Sequence, residues 1–137
     1  MNISVVIPVY KSQATLPELV RRLDSVLSGL AEAYEVILVN DDSPDASWEA
    51  ITKLAGQYAC VRGIDLMRNF GQHNATLCGL RQARYEVIVT MDDDLQHPPE
   101  EVHFLLEKLG EGYDVVYGFP KKPPHAWWRI LGSVLTK

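Results

Sequence analysis

Residues 86–96, EVIVTMDDDLQ, join a β-branched apolar run to three consecutive aspartates. A run that is almost continuously apolar, rather than alternating, is typical of a strand in a parallel sheet that is covered on both faces. Similar runs start roughly every 25–30 residues, about the length of one strand–helix–strand unit. The full set of predicted strands is Ile3–Tyr10, Glu35–Asn40, Val61–Leu66, Glu86–Met91 and Asp114–Phe119.

The segments between these runs predict helices. From Leu16 to Leu30, leucine and valine recur at the i, i+3, i+4 and i+7 spacing of one apolar helix face. Shorter stripes cover Trp48–Tyr58 and Val102–Leu109, and Gln72–Arg84 is predicted as a less amphipathic helix. Alternating strands and helices with short links predict an α/β domain with a doubly wound, mostly parallel sheet and helices on both faces.

Composition excludes several classes of protein. The 137 residues are 47% hydrophobic and 23% charged, which is a globular balance and not that of a disordered chain. A net charge of −5 argues against a nucleic-acid partner. Two cysteines are too few for a disulfide scaffold and favour a cytoplasmic location. No apolar run approaches the ~20 residues that a membrane-spanning helix needs.

The last eighteen residues differ from the rest of the chain. Residues 120–137 hold four basic residues and no acid, whereas residues 1–119 hold nine basic and eighteen acidic residues. We expect the apolar spacing from Trp127 to Val134 to begin a helix that the chain end cuts off. The pair Trp127-Trp128 beside Arg129 is typical of membrane interfaces, although packing against a segment outside this sequence is an open alternative.

Acidic residues follow two of the predicted strands. Ligands of open parallel sheets bind beyond the carboxyl ends of the strands. No glycine directly follows the first strand, so the glycine-rich fingerprint of dinucleotide-binding proteins is absent. This absence argues against a nicotinamide or flavin dehydrogenase. The second strand is followed by Asp41-Asp42 and the fourth by Asp92–Asp94.

Three adjacent carboxylates repel one another, and a divalent cation would relieve that repulsion. Oxygen ligands suit Mg²⁺ or Mn²⁺. If the segment is extended, Asp92, Asp94 and Gln96 lie on one side of it. Two alternatives stay open from the residues alone: a solvated acidic turn after the fourth strand, and an N-terminal helix cap formed by the Asp41-Asp42 pair.

Four motifs occur in chain order: VVIPVY at 5–10, NDDS at 40–43, RNFGQH at 68–73 and DDDLQHPPE at 92–100. In these motifs the sequence resembles family 2 glycosyltransferases. It is most similar to the branch that includes dolichol-phosphate mannose synthase and bacterial undecaprenyl-phosphate glycosyltransferases. The resemblance implies a GT-A fold, a nucleotide-sugar-binding domain over residues 1–119, and a truncated, basic start of an acceptor-side segment over residues 120–137.

The resemblance also implies an activity. It implies metal-dependent, inverting transfer of a sugar from a UDP- or GDP-linked donor to a polyprenyl phosphate, at the cytoplasmic face of a membrane that the C-terminal segment contacts. Alternatives are a relative acting on a growing polysaccharide or glycan, and a non-catalytic nucleotide-binding module. A phosphoryl-transfer domain with an aspartate nucleophile is disfavoured, because such an aspartate usually follows the first strand.

Roles for individual residues come from the same resemblance. The residues expected to bind the nucleotide are Pro8, Tyr10, Asp41, Asp42, Arg68 and Asp93. Asp92 and Asp94 are expected to be catalytic and to hold Mg²⁺ or Mn²⁺ together with Gln96, and Arg129 is the expected catalytic cation on the acceptor side. We expect His97, in the loop before Pro98, to face solvent.

Overall fold

The computed structural model describes residues 1–119 and the backbone of residues 132–136. Strands and helices alternate along the chain, as predicted. The strands are β1 Asn2–Val9, β2 Ala33–Asn40, β3 Val61–Asp65, β4 Val87–Met91, β5 Val115–Gly118 and β6 Gly132–Thr136. The helices are α1 Leu16–Leu30, α2 Ser47–Gln57, α3 Gln72–Gln82 and α4 Val102–Leu109, and a 3₁₀ turn at Pro99–Glu101 precedes α4.

All six described strands form one sheet in the order β3-β2-β1-β4-β6-β5. The first four positions are parallel, and β6 is antiparallel to both of its neighbours. β1 and β2 end in register, with Val9 opposite Asn40, so Tyr10 and Asp41 leave the sheet side by side. The prediction of a mostly parallel, doubly wound sheet is confirmed.

Helices cover both faces of the sheet. One face packs against α1, α2 and α4 in a core that includes Ile7 and Leu23, both fully buried. The other face packs against α3, with Val6, Ile37 and Ala75 in a second core. Gly79 lets α3 approach the sheet closely, because a Cβ there would lie 2.3 Å from Cγ1 of Val6.

The prediction of a helix at the end of the chain is wrong for Gly132–Thr136. This segment is β6, which lies between β4 and β5 and pairs Val134 with both Val89 and Val116. The segment forms a strand because it pairs with β4 and β5, which lie far from it in the sequence. This pairing determines its conformation more strongly than the local helical spacing does. Trp127, Trp128 and Arg129 lie outside the described residues, and the domain boundary after residue 119 stays a prediction. None of the helices in the described part of the chain is long and apolar enough to span a membrane.

A buried carboxylate joins the sheet at the end opposite the acidic loops. Glu35 of β2 is 3% exposed. It accepts hydrogen bonds from the Ser4 hydroxyl at 2.7 Å, Nε of Arg62 at 2.9 Å and the backbone N–H of Arg84 at 2.8 Å. One acidic side chain therefore connects β1, β2, β3 and the segment entering β4.

Candidate active site

A cleft of about 310 Å³ lies beyond the carboxyl ends of β1, β2 and β4. This is the edge at which open parallel sheets bind ligands. The structure brings six of the predicted residues to the cleft: Pro8, Tyr10, Asp41, Asp92, Asp93 and Asp94. It also places there Asn69, Gly71 and Gln72, which belong to the RNFGQH motif but had no predicted role.

Asp93 binds the protein itself. Its Oδ2 accepts a hydrogen bond of 3.0 Å from the backbone N–H of Tyr10 and another from the Ser12 hydroxyl. Its carbonyl oxygen accepts the Thr15 hydroxyl at 2.8 Å. Burial raises the pKa of the Asp93 carboxyl, although the hydrogen bonds from Ser12 and Tyr10 act in the opposite direction. Asp93 thus fastens the loop after β4 to the loop after β1.

Asp41 also serves the backbone. It is 4% exposed, and its two carboxylate oxygens accept the N–H groups of Phe70 at 2.8 Å and Gly71 at 3.1 Å. Its carbonyl oxygen accepts the Asn69 side-chain amide at 3.2 Å. Gly71 has φ +92°, a conformation that favours glycine. Asp41 therefore holds the loop that leads into α3. The acid that contacts the start of α2, the first helix after Asp41 in the chain, is Asp45.

Asp45 is the acid that contacts the first residue of α2, although the N-cap residue is Ala46. Its Oδ1 accepts the backbone N–H of Ser47 at 3.0 Å and the Ser47 hydroxyl at 2.6 Å, which satisfies a donor at the start of that helix. Burial alone would raise the pKa of the Asp45 carboxyl, but hydrogen bonds from Ser43 and Ser47 hold it below its usual value. The Ser43 hydroxyl also accepts the Lys11 N–H at 2.7 Å, so the loops after β1 and β2 are joined.

Asp92 faces the start of α3. The Gln72 side-chain amide donates a hydrogen bond of 2.8 Å from Nε2 to Oδ1 of Asp92. Asp92 is half-buried, Gln72 is exposed, and both line the cleft.

Asp94 and Gln96 lie on a bent segment. Leu95 between them has φ +61°, and residues 93–97 form bends, so the extended conformation assumed for Asp92–Gln96 is wrong. The backbone N–H of Gln96 donates a hydrogen bond of 3.1 Å to Oδ1 of Asp94, and this local bond holds the turn. Asp94 lines the cleft, and Gln96 is outside the cleft lining.

Two further predicted residues lie beside the cleft and do not line it. Asp42 is exposed at φ +53°. Arg68 is exposed, and its guanidinium carbon lies 4.7 Å from the centre of the Phe70 ring, within cation–π range.

His97 is 8% exposed, so the expectation that it faces solvent is wrong. Its Nε2 is buried and has no hydrogen-bond partner within the described part of the chain. Burial lowers the pKa of the imidazole, and Asp94 acts in the opposite direction. The segment folds inward because Glu100 pairs with Arg22 of α1 through an Nε–Oε1 contact of 2.8 Å, and Pro99 is buried.

The cleft is strongly negative. Four aspartates line it, and none of the described lining residues carries a basic side chain. The described residues contain no group of three histidine, cysteine or acidic side chains that could hold a metal ion by themselves. Mg²⁺ and Mn²⁺ sites commonly use one or two carboxylates and complete the shell with water and substrate phosphates. Asp92 and Asp94 are exposed enough to supply such a pair, so the donor set fits these cations.

Comparison with known proteins gives a consistent picture. A family model described as "Glycosyl transferase family 2" matches residues 4–132. The undecaprenyl-phosphate 4-deoxy-4-formamido-L-arabinose transferase of Pseudomonas paraeruginosa is 44% identical over 98% of this chain and 40% of its own length. The protein of the same name from Serratia proteamaculans is 42% identical over 96% of this chain and 41% of its own length. The chain thus spans about 40% of these curated relatives.

Solved structures share the fold. Glucosyl-3-phosphoglycerate synthase from Mycobacterium tuberculosis, in complex with UDP, aligns with a TM-score of 0.71 and 22% identity over 89% of this chain and 45% of its own. A mannosyltransferase from Pyrobaculum calidifontis, in complex with GDP-Man and Mn²⁺, aligns with a TM-score of 0.63 and 20% identity, covering 74% of this chain and 30% of its own. At these identities the likeness is evidence for the fold alone.

Proposed function

Because the chain belongs to glycosyl transferase family 2, we propose that it transfers a sugar from a UDP- or GDP-linked donor to undecaprenyl phosphate, with inversion at the anomeric carbon. The acceptor is supported by the 44% identity to a relative whose name specifies undecaprenyl phosphate. The whole protein is proposed to act at the cytoplasmic face of the membrane, because a polyprenyl phosphate is a membrane lipid.

The observation that carries the proposal is the cluster of carboxylates in a cleft whose described lining has no basic side chain. A nucleotide diphosphate entering this cleft meets repulsion from Asp92 and Asp94. A divalent cation held by these carboxylates would turn that repulsion into attraction. The cleft is therefore suited to a diphosphate that arrives with a metal ion.

Different residues bind different parts of the donor and its cation. Asp92 and Asp94 would hold Mg²⁺ or Mn²⁺, which when bound supplies Lewis-acid stabilisation of the charge on the leaving diphosphate. Pro8 and the half-exposed ring of Tyr10 border the base and ribose, and Arg68 is assigned to the nucleotide side of the same cleft. Asp41 and Asp93 act on the nucleotide through the loops that they hold.

The acceptor phosphate must be positioned for attack, and it needs no strong base to remove a proton. A lipid phosphate oxygen is already anionic near pH 7, so a strong general base is dispensable, and the reacting atoms must be aligned by cations. We assign that task to Arg129, which lies outside the described residues.

Isothermal titration calorimetry of UDP and GDP in the presence of Mn²⁺ tests the proposal. We expect one nucleotide to bind in Mn²⁺ and to lose at least ten-fold in affinity in EDTA or in the Asp94→Ala variant. Glu107→Ala, an exposed acid on α4, is the matched control and should bind as the wild type does. Binding that is equal with and without metal contradicts the proposal. A stably phosphorylated aspartate, detected by intact mass after incubation with a phosphoryl donor, supports phosphoryl transfer instead.

A further inference from the structure

We propose that Gln72 is a positioning residue that sets the Asp92 carboxylate for the divalent cation. The inference rests on the proposed function, and it concerns a residue to which neither the motif analysis nor the family resemblance gave a role. It comes from one contact: Nε2 of Gln72 donates a hydrogen bond of 2.8 Å to Oδ1 of Asp92, across the opening between α3 and the end of β4.

The backbone of Gln72 is held in place from the neighbouring strand. Gln72 is the first residue of α3, and Gly71 before it is bonded through its N–H to Oδ2 of Asp41. The Asn74 side-chain amide donates a hydrogen bond of 2.8 Å to the carbonyl of Phe70 and closes the same turn. The side chain of Gln72 therefore extends from a point fixed to the end of β2 and reaches the end of β4.

An amide suits this position chemically. It donates an N–H to one carboxylate oxygen without adding charge, so it orients the Asp92 side chain without placing a positive charge that would compete with a cation. A lysine or arginine there would neutralise the carboxylate and compete with the metal, and an acid would repel it. Partners that orient metal-binding groups in this way typically change metal affinity 10- to 100-fold when they are removed.

The test measures Mn²⁺ binding by electron paramagnetic resonance in the 137-residue chain with saturating UDP or GDP and no sugar donor, so the readout does not depend on activity. Gln72→Met keeps the length of the side chain and removes the donor, and we expect it to weaken Mn²⁺ binding roughly 10-fold. Its melting temperature in EDTA should equal that of the wild type, because the Gln72 side chain is exposed. Gln82→Met, at the opposite end of α3, is the matched control and should bind Mn²⁺ as the wild type does.

Two further variants separate positioning from other roles. Gln72→Asn keeps the amide but is one methylene too short to reach Asp92, and we expect it to lose affinity as Gln72→Met does. In an Asp92→Asn background, adding Gln72→Met should change Mn²⁺ affinity less than two-fold, because the residue acts through Asp92.

The outcomes distinguish this inference from the proposed function. Wild-type affinity in Gln72→Met or in Gln72→Asn overturns the positioning role. An undiminished ten-fold effect in the Asp92→Asn background also overturns it, because Gln72 would then act on the ion directly. Failure of the wild-type chain to bind Mn²⁺ with either UDP or GDP present overturns both the inference and the proposed function.

Discussion

Oδ2 of Asp41 accepts a hydrogen bond of 3.1 Å from the backbone N–H of Gly71, so the end of β2 fixes the start of α3. The other oxygen of the same carboxylate accepts the N–H of Phe70. This arrangement makes Asp41 a support of the cleft wall that carries Asn69 and Gln72.

Asp41→Asn should destabilise the chain. The amide keeps one acceptor oxygen, so one of the two backbone N–H groups loses its partner, at a cost of about 1–3 kcal/mol in the free energy of unfolding. Urea denaturation measures the change. Asp42→Asn, at the neighbouring exposed position, is the control and should stay within ~0.5 kcal/mol of the wild type. Equal effects of the two variants would contradict the supporting role of Asp41.

Gly79→Ala should destabilise the chain although alanine favours helix formation. The added Cβ would lie 2.3 Å from Cγ1 of Val6, so α3 must move away from the sheet, at a cost of about 1–3 kcal/mol in the free energy of unfolding. Gly56→Ala in α2 meets no atom within 4 Å and should stabilise by about 0.5–1 kcal/mol. Thermal and urea unfolding of the pair give the comparison, and a stabilised Gly79→Ala would contradict the close packing.

Arg62→Ala should cost about 3 kcal/mol in the free energy of unfolding, because it removes a partner of the buried Glu35 carboxylate. Arg84→Ala is the matched control. The side chain of Arg84 is 62% exposed and lies 3.7 Å from Glu35, and its backbone N–H bond survives the substitution, so the loss should stay below ~1 kcal/mol. Urea denaturation at pH 7 measures both, and similar losses would show that Arg62 has no special role.

Cys60 should react slowly with alkylating reagents. Burial, and next the Asp24 carboxylate, raises the pKa of its thiol from 9.0 to about 11. Because the thiolate is the nucleophile, the rate with iodoacetamide at pH 8 should be about 100-fold below that of an unperturbed thiol and should rise up to about pH 11. Peptide mapping with mass spectrometry follows Cys60 separately from Cys78. Asp24→Asn should speed the reaction, and an unchanged rate would contradict the influence of Asp24.

The raised pKa of the Cys60 thiol also makes the free energy of unfolding fall as the pH rises. Between pH 9 and about 11 the folded chain keeps a proton on Cys60 that the unfolded chain releases. The contribution of Cys60 to stability is therefore complete below pH 9 and is lost as the pH rises towards 11. Comparing the pH dependence of unfolding for the wild type and Cys60→Ala tests the sign.

The strands that could be predicted are those whose signal is local. Ile3–Tyr10 was predicted and Asn2–Val9 is found, because a run of buried β-branched residues permits few other structures. β6 could not be predicted, because its conformation depends on the edges of β4 and β5. Val134 fits a helical stripe and a strand equally well, and only its partners decide between them.

In the candidate site, the sheet edge at which the carboxylates lie could be predicted, but the direction in which each carboxylate points could not. Parallel topology brings Asp41 and Asp92 to one edge whatever the loops do. Which carboxylate faces the cleft and which accepts backbone N–H groups depends on loop dihedrals such as the positive φ of Leu95. Gln72 had a usable signal, since it belongs to the RNFGQH motif at residues 68–73.

The insertion of β6 between β4 and β5 sets an order of events during synthesis. Within the described chain, β5 pairs with β6 alone, so it has no backbone partner when it leaves the ribosome. β1 to β4 can already assemble at that stage, since the pairs β1–β2, β2–β3 and β1–β4 need no strand made later. Among the described strands, β4 therefore keeps an unpaired edge in the nascent chain until residues 132–136 emerge, and during that interval this edge can pair with other chains.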